Sequence, residues 1–325
     1  MANAAHAWPE RKRNPSAGRR KTESKLRSLW RSYTNNKFLI ALFLPGFFIF
    51  FLFAYVPMYG LQIAFKDFHV LEGVWGSPWV GLDNFERLFT GHGFTDALRN
   101  TIVISLLKYA FTFPAPIILA LMLNEVRSVL FRRIIQTISY LPHFFSWVIL
   151  ASILFSFLGM YGAVNQLIGL LGFEPVLWLQ QPDKFYGILI LSDIWAGVGW
   201  GSIIYFAALS GIDPTLYEAA IVDGASRWQR LWHITIPGMM PTILIMLLLN
   251  IGHFLSVGFD QIYNLITPMT SNVGDILDTY VLRNMLSMDY GLGTAAGLFS
   301  SVFGLLLLFA TNWLVKLYDR DQGLW

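Results

Sequence analysis

Two blocks of this chain, Phe38–Val56 and Gly297–Val315, each run for 19 residues without one charged side chain. A helix rises 1.5 Å per residue, so each nearly covers a hydrocarbon core of roughly 30 Å. In lipid every backbone N–H and C=O must be bonded within the protein, and a helix does this within its own segment. Four further apolar segments extend the pattern. Spans are expected at residues 38–57, 100–124, 134–158, 185–209, 239–261 and 293–316. The expected fold is therefore all-α, a polytopic membrane protein with six transmembrane helices. Composition agrees, since only 13% of the 325 residues are charged and soluble domains carry about 25%. Pro114 and Pro116 interrupt the second span, and Pro142 and His143 the third. Proline is tolerated where neighbouring helices re-satisfy the freed carbonyl, so a kink is expected near Pro114–Pro116.

Charge placement gives an orientation. Residues 1–37 hold ten Lys and Arg against Glu10 and Glu23. Beside a membrane helix, such an arm suits a cytoplasmic anchor at anionic head groups better than a nucleic-acid contact. A cleavable signal peptide is not expected, because the basic region and the first apolar block are both too long. With both termini inside, the cytoplasmic segments collect 17 cations and the outside segments 5, with Lys108 left in the second span. The expected layout is a basic cytoplasmic arm at 1–37, a membrane domain at 38–316 and a cytoplasmic tail at 317–325. The loop at 211–238 then faces the cytoplasm. Outside, residues 159–172 are too short to span and are expected to form an interfacial or re-entrant helix. There is no cysteine, which excludes disulfides, thiolate nucleophiles and zinc–thiolate sites.

The 211–238 loop has a readable shape. Asp213-Pro214 is a helix start, with Asp as cap and Pro at the first helical position. A short helix is expected from about Thr215 to Val222, ending near Gly224, which can take positive φ. A second helical stretch carries Arg227, Trp228, Arg230 and Trp232, and Pro237 and Pro241 mark the entry to the fifth span. Two short helices across a membrane face make a knob. Its small residues (Ala219, Ala220, Gly224, Ala225) allow another protein to pack closely.

Glu218, Ala219, Ala220, Gly224, Ile234 and Pro237 stand at the spacing of the EAA loop of bacterial binding-protein-dependent importers. The one departure is Ile236 where that pattern has Leu. From about residue 38 onward the chain resembles the sugar-type permeases related to the maltose importer's membrane subunits. YGLQIAFKDF (59–68), SPWVGLDNFERLF (77–89) and GDILDTYVLRNML (274–286) are similar to its lipoprotein/polysaccharide permease branch. The resemblance implies a type I ABC importer permease fold in a bacterial cytoplasmic (inner) membrane. It also implies a five-part assembly. A second homologous permease, two ATP-binding subunits and a solute-binding protein would join this chain to import oligosaccharides, including uronic-acid-containing ones such as alginate. On the family's pattern Glu218 contacts the ATPase and Gly224 permits the turn, with Asp223 beside it in the same coupling segment. The chain has no G-x-x-x-x-G-K-[ST] loop and no Gly-Lys pair at all, so no phosphate loop of its own. ATP and Mg would sit on the partner ATPases, with no cofactor and no metal on this chain, and no catalytic residue is expected.

Ionisable residues inside spans are functional candidates by default. Asp193 stands mid-span, followed by Trp195 and Trp200; Asn250, His253 and Asp260 stand in the fifth expected span, roughly along one helical face with Ser256 or Val257 between. Amides and carboxylates there could bind sugar hydroxyls while the tryptophans stack on sugar faces. The alternative is that such residues only bond across helices, and Gly197, Gly199 and Gly201 suggest close helix contact. Lys108 and His143 are expected near interfaces, where they could snorkel or sit in loops. An ion-coupled secondary transporter is the competing reading, with Asp193, His253 and Asp260 as a relay. Such carriers use internal repeats, and none is evident. A membrane-embedded enzyme lacks its motifs, with six scattered His and no H-E-x-x-H.

Overall fold

Residues 36–256 and 258–318 are described by a computed structural model. The basic arm apart from its last two residues, the tail beyond Tyr318, and Val257 lie outside the described residues. Six helical segments are long and apolar enough to cross a membrane: Lys37–Phe65, Phe94–Glu125, Trp147–Leu170, Pro182–Ser210, Arg227–Ile251 and Tyr290–Leu317. Among the described residues the sole β pairing is an isolated bridge between Lys66 and Trp79. The chain divides between Gly60 and Leu61 into two units.

In the first unit, α1 (Lys37–Phe50) buries none of its residues and continues through a π turn at Phe51–Tyr55. Phe43, Phe47, Phe51 and Tyr55 follow one another at four-residue spacing, with ring centroids 5.7, 6.3 and 5.8 Å apart. A helix apolar on all sides is what a bilayer accommodates and water does not.

In the second unit the long apolar segments are broken by identifiable residues. The second span is two helices, α2 (Phe94–Phe111) and α3 (Pro114–Glu125). The amides of Thr112 and Phe113 both turn back to the Lys108 carbonyl, at 2.7 and 3.1 Å. Pro114 then opens α3 at a position where its missing N–H costs nothing. The third span begins at Trp147, not near residue 134 as expected. Residues Val129–Tyr140 form a separate helix, α4, whose Ile134 and Ile138 stay exposed, and Pro142 ends it in a 3₁₀ turn. The span itself is α5 (Trp147–Leu158), a turn at 159–162, and α6 (Ala163–Leu170). Asn165 organises that turn by donating to the carbonyls of Gly159 and Val176 at 3.1 and 2.8 Å.

The fourth span, α7 (Pro182–Ser210), is unbroken for 29 residues and packs against α3 and α4. Two glycines permit the contact. A Cβ on Gly199 would strike the Ser139 carbonyl of α4, and one on Gly201 would lie 2.9 Å from Pro116 of α3. Gly197 has open space beside it. The fifth span also departs from expectation. It starts inside the 211–238 loop, at Arg227, and its main helix, α8 (Ile236–Ile251), stops well before residue 261. Turns follow to Gly258, whose φ of 69° starts a separate short helix, α9 (Phe259–Leu265). The sixth span is α10 (Tyr290–Tyr318). Buried apolar clusters join these elements. One combines Ile104, Ala151, Phe185, Leu189, Ile262 and Leu265, and another combines Ala120, Tyr205, Leu209 and Met239.

Candidate functional site

The Glu218–Pro237 loop folds as a capped two-part knob. Asp213 caps the first helix, Pro214–Val222, by accepting the Thr215 amide at 2.9 Å. That bond holds its exposed carboxyl below the usual carboxylate range. Asp223, Gly224 and Ala225 turn their amides back to Ala219, Ile221 and Ala220, and Gly224 takes a φ of 77°. These orphan carbonyls are thereby satisfied by a left-handed glycine cap. Ser226 then starts the second part with a capping box. Its amide donates to Gln229 Oε1 at 2.7 Å, and its Oγ accepts the Gln229 amide at 3.3 Å. A π turn at Leu231–Thr235 follows and absorbs the approach of Pro237, which has no N–H to continue an α-helical ladder. The Tyr217 and Thr235 hydroxyls lie 3.0 Å apart and tie the two parts together. Glu218, Ala219, Asp223, Gly224 and Pro237 are exposed, while Ala220 and Ile234 are half-buried.

Two cavities lie within the second unit, and Asp193 lines both. The first, of about 460 Å³, also takes in His143, Gly197, Asp260 and Asn264. The second, of about 390 Å³, takes in Lys108, Thr112, Asn250, His253 and Ser256. Past Ile251 the chain turns with i→i+3 bonds, His253 to Asn250 and Ser256 to His253, both 2.9 Å. Side chains three apart eclipse in such turns, which brings Asn250, His253 and Ser256 to one wall. Asp260 is not on that row. It belongs to α9 and to the other cavity.

Between the cavities stands a bonded cluster whose members are far apart in sequence. Lys108 of α2 is buried, neither snorkelling nor in a loop. Its Nζ donates to Gln261 Oε1 at 2.6 Å and lies 3.4 Å from Asp193 Oδ2. Gln261 in turn donates to the Leu189 carbonyl at 2.7 Å and to Ser192 Oγ at 2.8 Å. Four side chains and the Leu189 carbonyl, from α2, α7 and α9, are thus paired at once. Buried polar groups of this kind are costly unless fully paired. One group remains open: Thr112 Oγ1, on the second cavity, is buried without a hydrogen-bond partner.

The tryptophans separate. Residues two apart on a helix face different ways, and Trp195, two beyond Asp193, lines neither cavity and is exposed. Trp200 stacks on the His143 ring at 4.6 Å and 6° between planes, so it steadies a cavity residue without lining the cavity. Among the described residues no cluster of three His, Asp or Glu could hold a metal.

Known proteins share this architecture. The Bacillus subtilis protein LplB is 44% identical over 88% of this chain and 91% of its own length. The polygalacturonan/rhamnogalacturonan transport system permease protein YteP of the same organism is also 44% identical, over 88% and 89%. A crystal structure of a bacterial alginate ABC transporter, in complex with its alginate pentasaccharide-bound periplasmic protein, superposes with a TM-score of 0.82. It has 40% identity and covers 90% of this chain and 98% of that one. Residues 112–323, which hold the knob and most of the cavity wall, match the binding-protein-dependent transport system inner membrane components. The chain belongs to that family and is a multi-pass inner-membrane permease subunit of an ABC importer.

Proposed function

We propose that this permease carries acidic oligosaccharides, with uronic-acid chains such as alginate or polygalacturonate fragments as its cargo class. A solute-binding protein delivers them, a second homologous permease forms the other half of the path, and two ATPase subunits holding ATP and Mg supply the energy. The termini and the knob face the cytoplasm. The observation that carries this reading is continuity: Arg227–Ile251 is one segment with the knob at its base and Asn250 on the cavity wall at its far end. The knob also leaves Leu216, Ile221 and Val222 exposed, Val222 at 87%, on a nine-residue helix too short to span. An apolar surface of that kind calls for a protein partner. Glu218, exposed on the same helix, makes the polar contact with the ATPase, and Gly224 fixes the turn.

The cargo class follows from the relatives' substrates, since polygalacturonan and alginate are both polymers of uronic acids. In the path, Asp193, Asn250, His253 and Asp260 offer acceptors and donors to sugar hydroxyls, with Lys108 held at the junction. The ion-coupled alternative gains no support, because Asp193 is engaged by Lys108 and is not a free relay group. Proteoliposomes holding the complete importer test the reading. Uptake of an unsaturated uronate trisaccharide should require ATP, exceed that of a neutral trisaccharide and vanish in Glu218→Lys. Uptake driven by an ion gradient alone, or full activity in Glu218→Lys, overturns it.

A further inference from the structure

A third cleft, of about 560 Å³, opens between the end of α3 and the second half of the knob. Arg127, Arg227 and Arg230 line it, with Glu125 the only acidic group among its lining residues. Glu125 lies 3.7 Å from Arg227, which leaves a net charge of two positive. Arg230 is half-buried, and its Nε is buried without a hydrogen-bond partner. Arg127 has no ion-pair partner among the described residues. A buried guanidinium N–H with no acceptor is costly, and guanidinium forks match phosphate geometry. The cleft therefore offers its unpaired guanidinium groups to an anion with several acceptor oxygens.

The other wall identifies the kind of anion. Met122 of α3 lines the cleft, and Ile118, one turn back on the same face, continues an apolar stripe into the span; both are exposed, at 64% and 54%. Trp228 lines the cleft and Trp232 follows it, exposed at 70% and 60%. Tryptophan at the level of the head groups is a usual interfacial anchor. A cationic floor, an aromatic rim and an apolar runway toward the membrane interior fit a phospholipid, head group first. A free phosphate would use the floor alone.

We infer that this cleft binds the phosphate of an anionic phospholipid, between the coupling knob and the second span. The inference rests on the cytoplasmic placement proposed above, where anionic lipid is concentrated and basic pockets between helices recruit it. A lipid held there touches both the knob and α3, so it sets the stiffness of the joint through which the knob acts.

The experiment uses the complete importer, purified in mild detergent, supplied with equal phosphatidylglycerol and phosphatidylcholine and weighed by native mass spectrometry. The wild type should retain phosphatidylglycerol preferentially. Arg230→Gln should lower that preference about fivefold and Arg127→Gln/Arg230→Gln further, following the usual contribution of one cation near a membrane surface. Arg133→Gln, outside the cleft, should leave it unchanged, and millimolar inorganic phosphate should not displace the lipid. Equal retention of both lipids, an unchanged preference in the double variant, or displacement by inorganic phosphate overturns the inference. A preference seen in the isolated permease pair but lost once the ATPases assemble also overturns it, and assigns the cleft to the protein interface. Copurification of the ATPases is scored in the same spectra, so failure of the lipid site is distinguishable from failure of the importer reading.

Discussion

Replacing Lys108 with methionine removes a charge and keeps the length of the side chain. At 3.4 Å from Asp193, and with an effective dielectric of about 20, the lost attraction is roughly 5 kcal/mol before desolvation. Removing one partner of a buried pair costs about 3–5 kcal/mol, because the other charge is left uncompensated. The Asp193 side chain is 25% exposed and reaches two cavities, so water recovers part of this and about 2–3 kcal/mol remains. Gln261 Oε1 also loses its donor while Gln261 stays fixed by Leu189 and Ser192. We therefore expect Lys108→Met to melt roughly 5 °C or more below the wild type in a thermal-unfolding assay of the purified importer. Lys108→Met/Asp193→Leu should melt above the single variant, since no unpaired charge is left. Transport should be impaired in both. If Lys108→Met melts with the wild type, or if the two substitutions simply add, the pair does not brace α2 against α7.

Gly199→Ala should destabilise by about 1–3 kcal/mol, because its methyl would meet the backbone of Ser139, whereas Gly197→Ala, with open space beside it, should melt normally; equal behaviour of the two refutes the α4–α7 contact. Gly224→Val places a β-branched residue at φ 77° and should cost about 1–2 kcal/mol locally, read as weakened copurification of the ATPases, with Gly224→Asn milder. The Asp213 carboxyl is held below its usual range by the Thr215 amide. Its capping contribution is therefore present above the ordinary carboxylate pKa and lost as pH falls through the depressed value, and hydrogen exchange at Thr215 should quicken over that window and at all pH in Asp213→Ala. With no native cysteine, Thr112→Cys/Asn250→Cys across the second cavity should change its cross-linking yield with nucleotide, while a Leu189→Cys/Ile262→Cys pair in the buried cluster should not; the reverse pattern refutes a moving fifth span.

The signals legible in the sequence were local ones. Long apolar runs, two of them free of charge, point to six spans, and the knob can be drawn residue by residue because Asp213, Gly224 and Pro237 each act on their own neighbourhood. The third span was misplaced because α4 is apolar by count. Its Arg132 and Arg133 beside exposed Ile134 and Ile138 mark a two-faced helix, a periodic signal that a hydropathy sum hides. The end of the fifth span was readable in Gly252 and Gly258, but an apolar stretch invited continuation through them. The pairing of Lys108 is hidden for a different reason. Its partners Asp193 and Gln261 come from other helices, and only the packing of α2, α7 and α9 brings them together. A single sequence shows a lone cation in a span and cannot show what neutralises it.

The corrected boundary of the fifth span alters the mechanical picture. Had the helix run from 239 to 261, Asp260 and Asn250 would have moved together and the knob would have been a separate loop. Instead the segment begins at Arg227 and ends at Ile251, a rod of roughly 37 Å at 1.5 Å per residue. Its base is tied to the first knob helix by Tyr217 and Thr235, and a Cβ on Gly238 would lie 2.8 Å from Ile212, so the knob and the rod's base shift as one piece. The far end carries Asn250, with His253 and Ser256 on the turns beyond it. Lys108, Asp193 and Gln261 belong to α2, α7 and α9, which the bonded cluster holds to one another. The second cavity is then bounded on one side by the polar side chains at the rod's far end and on the other by the braced Lys108–Asp193 pair. On the coupling proposed above, a displacement of the knob would change the width between these walls without breaking the ion pair. That division would let the proposed path open and close while its most costly buried group stays satisfied.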